Sequence, residues 1–124
     1  MSSLPHQISV RMDPDERLVA AVGGAARYLA DAAGLGNEMI VQFQASVVSA
    51  CNHCFHCHPS GTPCGITLRR SSDRLELEVD LPGTEPQANE MPSWAGIDEV
   101  HRETRDHAAV LRLTKFVSPN PPAD

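Results

Sequence analysis

The reactive side chains of this chain are concentrated in one short run. Ala50-Cys51-Asn52-His53-Cys54-Phe55-His56-Cys57-His58-Pro59 holds three of the four cysteines and three of the six histidines, and Cys64 follows shortly after. Cys51, Cys54, Cys57, His58 and Cys64 supply the thiolates and imidazole that zinc takes in a tetrahedron, or the thiolates that hold an iron–sulfur cluster. The C-x₂-C-x₂-C-x₆-C spacing follows no strong template, and on a continuous helix Cys51 and Cys57 point well apart. A metal therefore requires the helix to unwind after Ala50. Cys54-Phe55-His56-Cys57-His58 also matches the C-x-x-C-H pattern of covalent haem attachment. That chemistry follows export, and Met1-Ser2-Ser3-Leu4-Pro5-His6-Gln7 lacks the basic and apolar regions of a signal peptide. In the third reading Cys54 and Cys57 face the core, because cysteine is among the most buried residue types. This third reading is the expectation; a small metal-binding or redox protein using the Cys51–Cys64 cluster is the alternative.

Composition narrows the classes. With 124 residues, 41% apolar and 21% charged, the chain suits one globular domain, placed at residues 1–117, with a flexible proline-rich tail at 118–124. Only 4% is aromatic, so Leu, Val, Ile and Ala must build the core. A net charge of −6 argues against nucleic acid or anionic lipid as a partner. There is no apolar run of membrane-spanning length. A cytoplasmic setting, with reduced thiols, is expected.

The elements that would position the cluster follow from periodicity. Gln7–Met12 alternates as a strand. Asp13-Pro14-Asp15-Glu16 opens a helix with Asp13 as cap, Pro14 in the first position and Glu16 at the capping-box distance. Leu18, Val22, Ala25, Leu29 and Ala32 form its stripe, and Gly34 ends it. A second helix starts at Gly36 or Asn37, with Phe43, Val47, Ala50, Cys54 and Cys57 as its apolar stripe. It ends where His58 precedes Pro59. Beyond Cys64 the period becomes two: Ile66 and Leu68, a turn at Ser71-Ser72-Asp73, then Leu75, Leu77, Val79 and Leu81 predict a hairpin with one buried face. Pro82–Gly96 reads as a loop. A second hairpin follows, Asp98–Thr104 and Ala108–Val117 around a turn at Arg105-Asp106-His107. Helices grouped ahead of antiparallel strands define an α+β two-layer sandwich, a mostly antiparallel sheet covered on one face by two helices.

This order resembles the bacterial anti-sigma regulatory factors, serine-protein kinases built on the histidine-kinase-type ATPase fold. Asp13-Pro14-Asp15-Glu16, Val47-Val48-Ser49-Ala50-Cys51-Asn52-His53, Val79-Asp80-Leu81-Pro82-Gly83, and the closing Ile97–Val100 and Val110–Lys115 carry the resemblance. It implies a nucleotide site at Ser49, His53, Asp80 and Gly83. Ser49 and His53 stand where the family has a catalytic Glu and a Mg²⁺-holding Asn, Asp80 where it has the adenine-recognising Asp, and Gly83 where it has the neighbouring Gly. Serine without a nearby base does not replace a carboxylate in proton transfer, and imidazole is a poor ligand for hard Mg²⁺. Pro82 departs from the family pattern, and Thr84–Gly96 is too short for the glycine-rich box, helix and lid that should follow. The resemblance thus implies a degenerate member with its scaffold kept, no catalytic residues, impaired ATP/Mg binding and no resident cofactor. Its role would be transcription regulation by docking on a sigma factor or an anti-sigma antagonist, with room for a homodimer.

Overall fold

Strict alternation in the second half of the chain sets the architecture. In the strand Arg74–Pro82, Leu75, Leu77, Val79 and Leu81 are buried while the residues between them are half-buried. Cys64, Ile66 and Leu68 repeat the pattern in the preceding strand, Cys64–Arg70. A computed structural model describes residues 6–13, 15–57, 63–82 and 93–117. It contains, in chain order, β1 (His6–Met12), α1 (Glu16–Ala32), α2 (Asn37–Cys57), β2 (Cys64–Arg70), β3 (Arg74–Pro82), β4 (Glu99–Arg105) and β5 (Ala108–Phe116). The strands form one antiparallel sheet in the order β1-β2-β3-β5-β4. The helices pack on one face, giving the α+β two-layer sandwich. Among the described residues no helix is long and apolar enough to cross a membrane.

Register separates the two faces of the sheet. Leu77 opposes Leu113 and Val79 opposes Leu111, all four in the core beneath the helices. One residue along, Glu78 opposes Arg112 on the outer face. There Arg112 Nη2 lies 3.1 Å from Glu78 Oε1 and 3.7 Å from Glu103 Oε1, and Arg105 Nη2 lies 3.1 Å from Glu103 Oε1. Two cations thus alternate with two anions on the outer face of the sheet. The β4–β5 hairpin turns through Asp106 (φ 51°) and His107 (φ 65°). Left-handed geometry at both central residues belongs to the two-residue turn whose twist matches that of paired strands. The second hairpin expected from sequence is present, with Arg105 inside β4 rather than in its turn.

Two details of α1 correct the sequence reading. Its cap is Asp15, not Asp13: Asp15 Oδ1 accepts the Arg17 backbone N–H at 2.9 Å, while the Asp13 carbonyl accepts the Asp15 N–H at 2.8 Å. The Arg17 guanidinium also grips Asp15 at 2.8 Å and holds its carboxyl below the usual range, first through that hydrogen bond. Pro14 lies outside the described residues.

The buried stripe is also rotated. Val19, Val22, Ala26, Leu29 and Ala30 are buried, whereas Leu18 is 43% exposed and Ala32 faces solvent. The helix must serve α2 as well as the sheet, and a Cβ on Gly23 would lie 2.7 Å from Val48 Cγ2, so the two helices approach through that glycine. The helix ends ahead of Gly34 (φ +85°), as expected.

Candidate functional site

α2 carries two parallel stripes one residue apart. Phe43, Val47, Ala50 and Cys54 are buried in the core, as their spacing predicts. Gln42, Ser46, Ser49 and His53 repeat the same intervals of four, three and four along the flank.

The segment Trp94-Ala95-Gly96 lies along that flank. Ser46 Oγ donates to the Ala95 carbonyl at 2.7 Å. The Trp94 indole N–H donates to Ser49 Oγ at 3.0 Å. The Trp94 and His53 rings meet edge to face, with centroids 6.2 Å apart and planes at 72°, a favourable arrangement for two aromatic quadrupoles. Gly96 adopts φ +77°, and a Cβ there would come within 2.9 Å of Gln42 Oε1. Only glycine combines that backbone geometry with so close an approach. Trp94 is buried within the core cluster, although the loop around it reads as polar in sequence.

The residues implied as a nucleotide site do not all meet. Ser49 and His53 are one turn apart on α2, Ser49 exposed and His53 half-buried, with the indole against both. Asp80 lies elsewhere. It pairs with Gly65 and Val110 on the outer face, away from the helices, and a Cβ on Gly65 would lie 3.6 Å from Asp80 Cβ. Period two dictates this: Val79 and Leu81 face the core, so the residue between them faces out. Asp80 Oδ1 is buried and has no hydrogen-bond partner among the described residues. Gly83 lies outside the described residues. Pro82, which departs from the family pattern, is the last residue of β3.

Cys51, Cys54 and Cys64 are held in the core. α2 continues through Cys57 without the break after Ala50 that metal convergence requires. Cys51 and Cys64 are fully buried and Cys54 nearly so, and none of the three is in a disulfide. Burial pushes the Cys51 thiol up to about 12, with neighbouring Cys64 adding to the effect, and burial raises Cys64 as well. These are protonated, apolar groups rather than poised thiolates. Among the described residues no three His, Cys, Asp or Glu side chains stand as a metal-holding group. The Cys57 side chain and His58 lie outside the described residues.

Cys51 and the Trp94 contact are what the sequence reading missed. Cys51 falls one position beyond the apolar stripe that includes Ala50. The signal for the contact was a polar stripe of core-like spacing beside the true core stripe, together with the chain's single tryptophan. No protein-family model matches the chain, and no curated protein matches it.

Proposed function

We propose that this chain is a cytoplasmic regulatory domain that acts by docking on a protein partner and does not transfer phosphate. The Trp94 contact with Ser49 and His53 carries this reading. The flank of α2 that would face a nucleotide is engaged by the protein's own indole, through a hydrogen bond and a ring contact. It presents a hydroxyl and an imidazole in place of the carboxylate and amide that the resembled kinases use. Asp80, the residue implied to recognise adenine, projects from the other face of the sheet. A scaffold with these substitutions retains surfaces for binding while lacking the carboxylate that the resembled kinases use for proton transfer. The resemblance supplies the partner class: a sigma factor or an anti-sigma antagonist.

The test has two arms. The melting temperature in saturating Mg·ATP should equal that in buffer, since a ligand that binds only the folded state must raise it; a rise of several degrees would overturn the nucleotide part. Purified sigma factors and their antagonists from the encoding organism should include one that binds in calorimetry. Binding by none of them overturns the partner part.

A further inference from the structure

Arg17, Arg69, Arg74, Arg105 and Arg112 each grip a carboxylate at 2.8–3.2 Å. Arg27 does not. It stands one turn before Asp31 on the exposed side of α1, the spacing at which opposite charges can meet on a helix. Yet neither residue forms an ion pair with the other or with any other described residue. Asp31 also sits in the last turn of α1, where no basic residue offsets it and its charge opposes the carbonyl end of the helix. A pair that serves neither the helix nor an ion pair breaks local rules in the manner of a functional site. Both residues line a cleft of about 320 Å³ between the second half of α1 and the start of α2. Gly24, Tyr28, Asn37 and Ile40 complete its walls. Ile40 is buried, Tyr28 is 65% exposed, and a Cβ on Gly24 would meet nothing within 4 Å, so the cleft is open at that end.

We propose that this cleft binds a free α-amino acid as its zwitterion. The planar Arg27 guanidinium donates to the ligand carboxylate, a geometry that allows two parallel hydrogen bonds. Asp31 accepts from the ligand ammonium. A simple anion would satisfy Arg27 but be repelled by Asp31, and a simple cation would meet the reverse. A ligand carrying both charges a few bonds apart suits both, and two side chains one helical turn apart can straddle it. The Asn37 amide adds a donor and an acceptor. Ile40 and the Tyr28 ring are the apolar surfaces of the cleft, so the ligand's own side chain is expected to be aliphatic or aromatic. Charges this exposed bind weakly, and a millimolar affinity is expected. Neither Trp94 nor its contacts on α2 line the cleft, so the inference stands apart from the docking role proposed above.

Amide NMR of the isotope-labelled full chain, titrated separately with L-leucine and L-phenylalanine, measures the binding. Titration runs to about 10 mM, where a complex of millimolar affinity is mostly formed. At least one of the two is expected to shift the amides of Arg27, Tyr28, Asp31 and Asn37 along a saturating curve. The Nα-acetylated forms lack the ammonium and should bind about tenfold or more weakly, as should either parent ligand to Arg27→Gln or Asp31→Asn. No shift at these amides with either amino acid overturns the proposal. So does equal binding of the acetylated forms, the same shifts with sodium phosphate, or affinity unchanged in both variants. Should a variant lose its fold, the comparison of free with acetylated ligand on the wild-type chain decides. None of these results depends on nucleotide or on a sigma factor.

Discussion

Trp94 and Ser49, 45 positions apart in sequence, are joined by a 3.0 Å hydrogen bond in which the indole is the donor. The bond fastens the segment before β4 to the middle of α2. One buried aromatic side chain therefore both extends the core and decorates the flank that would otherwise be the open side of the helix.

Trp94→Phe keeps most of the ring and removes the donor. It should cost about 1 kcal/mol, the ordinary net worth of one hydrogen bond. Trp94→Ala should cost about 3–5 kcal/mol, because a large buried side chain is replaced by a cavity. Urea unfolding followed by far-ultraviolet circular dichroism measures both, and equal losses for the two variants would contradict the geometry.

Two glycine-to-alanine changes should act in opposite directions. Gly96→Ala places a Cβ in left-handed backbone and against Gln42, and should destabilise by about 1–2 kcal/mol from the backbone alone. Gly24 is exposed within α1, and a Cβ added there would meet nothing within 4 Å. Gly24→Ala should stabilise by about 0.5–1 kcal/mol through helix propensity. Thermal melts of the pair, read against wild type, check the contrast.

The Cys51 thiol sets a pH dependence. Burial raises it from an ordinary 9.0 to about 12, with Cys64 contributing. Above pH 9 the unfolded chain releases this proton while the folded chain keeps it, so the folded state holds more protons and stability falls as pH rises. The loss should run from about pH 9 to about pH 12, and Cys51→Ala should flatten the fall in unfolding free energy over that window. In the folded protein at pH 8, iodoacetamide should leave Cys51 unmodified, whereas unfolded protein should react. Mass spectrometry of the quenched mixtures distinguishes the two.

Elements with a single dominant burial demand were legible in the sequence. β3 alternates between a dry face and a wet one, so Leu75, Leu77, Val79 and Leu81 declare the strand and its orientation together. α1 was harder because two neighbours compete for it. Its buried face is a compromise between α2 and the sheet, and a single stripe through Leu18 misjudged the rotation. Asp13 and Asp15 are equivalent caps on paper; in the structure Asp15 caps, accepting the Arg17 backbone N–H and pairing with the Arg17 guanidinium, a local contact that residue types alone do not single out. The candidate site was half visible: Ser49 and His53 share a flank through helical spacing alone. Trp94 was not visible, because no periodicity links a loop residue to a helix 45 positions earlier.

The placement of β1 has a consequence for how the chain reaches this structure. Gln7 and Arg69 touch across 62 positions of sequence, spanning both helices. The β2–β3 and β4–β5 pairs close through short turns, and loop-closure entropy rises with the length of chain enclosed. The two hairpins can therefore nucleate locally, whereas β1 can dock only after the helical layer has brought its ends together. β1 is in this way expected to be the last strand added, although it is made before both helices and before the strand it pairs with.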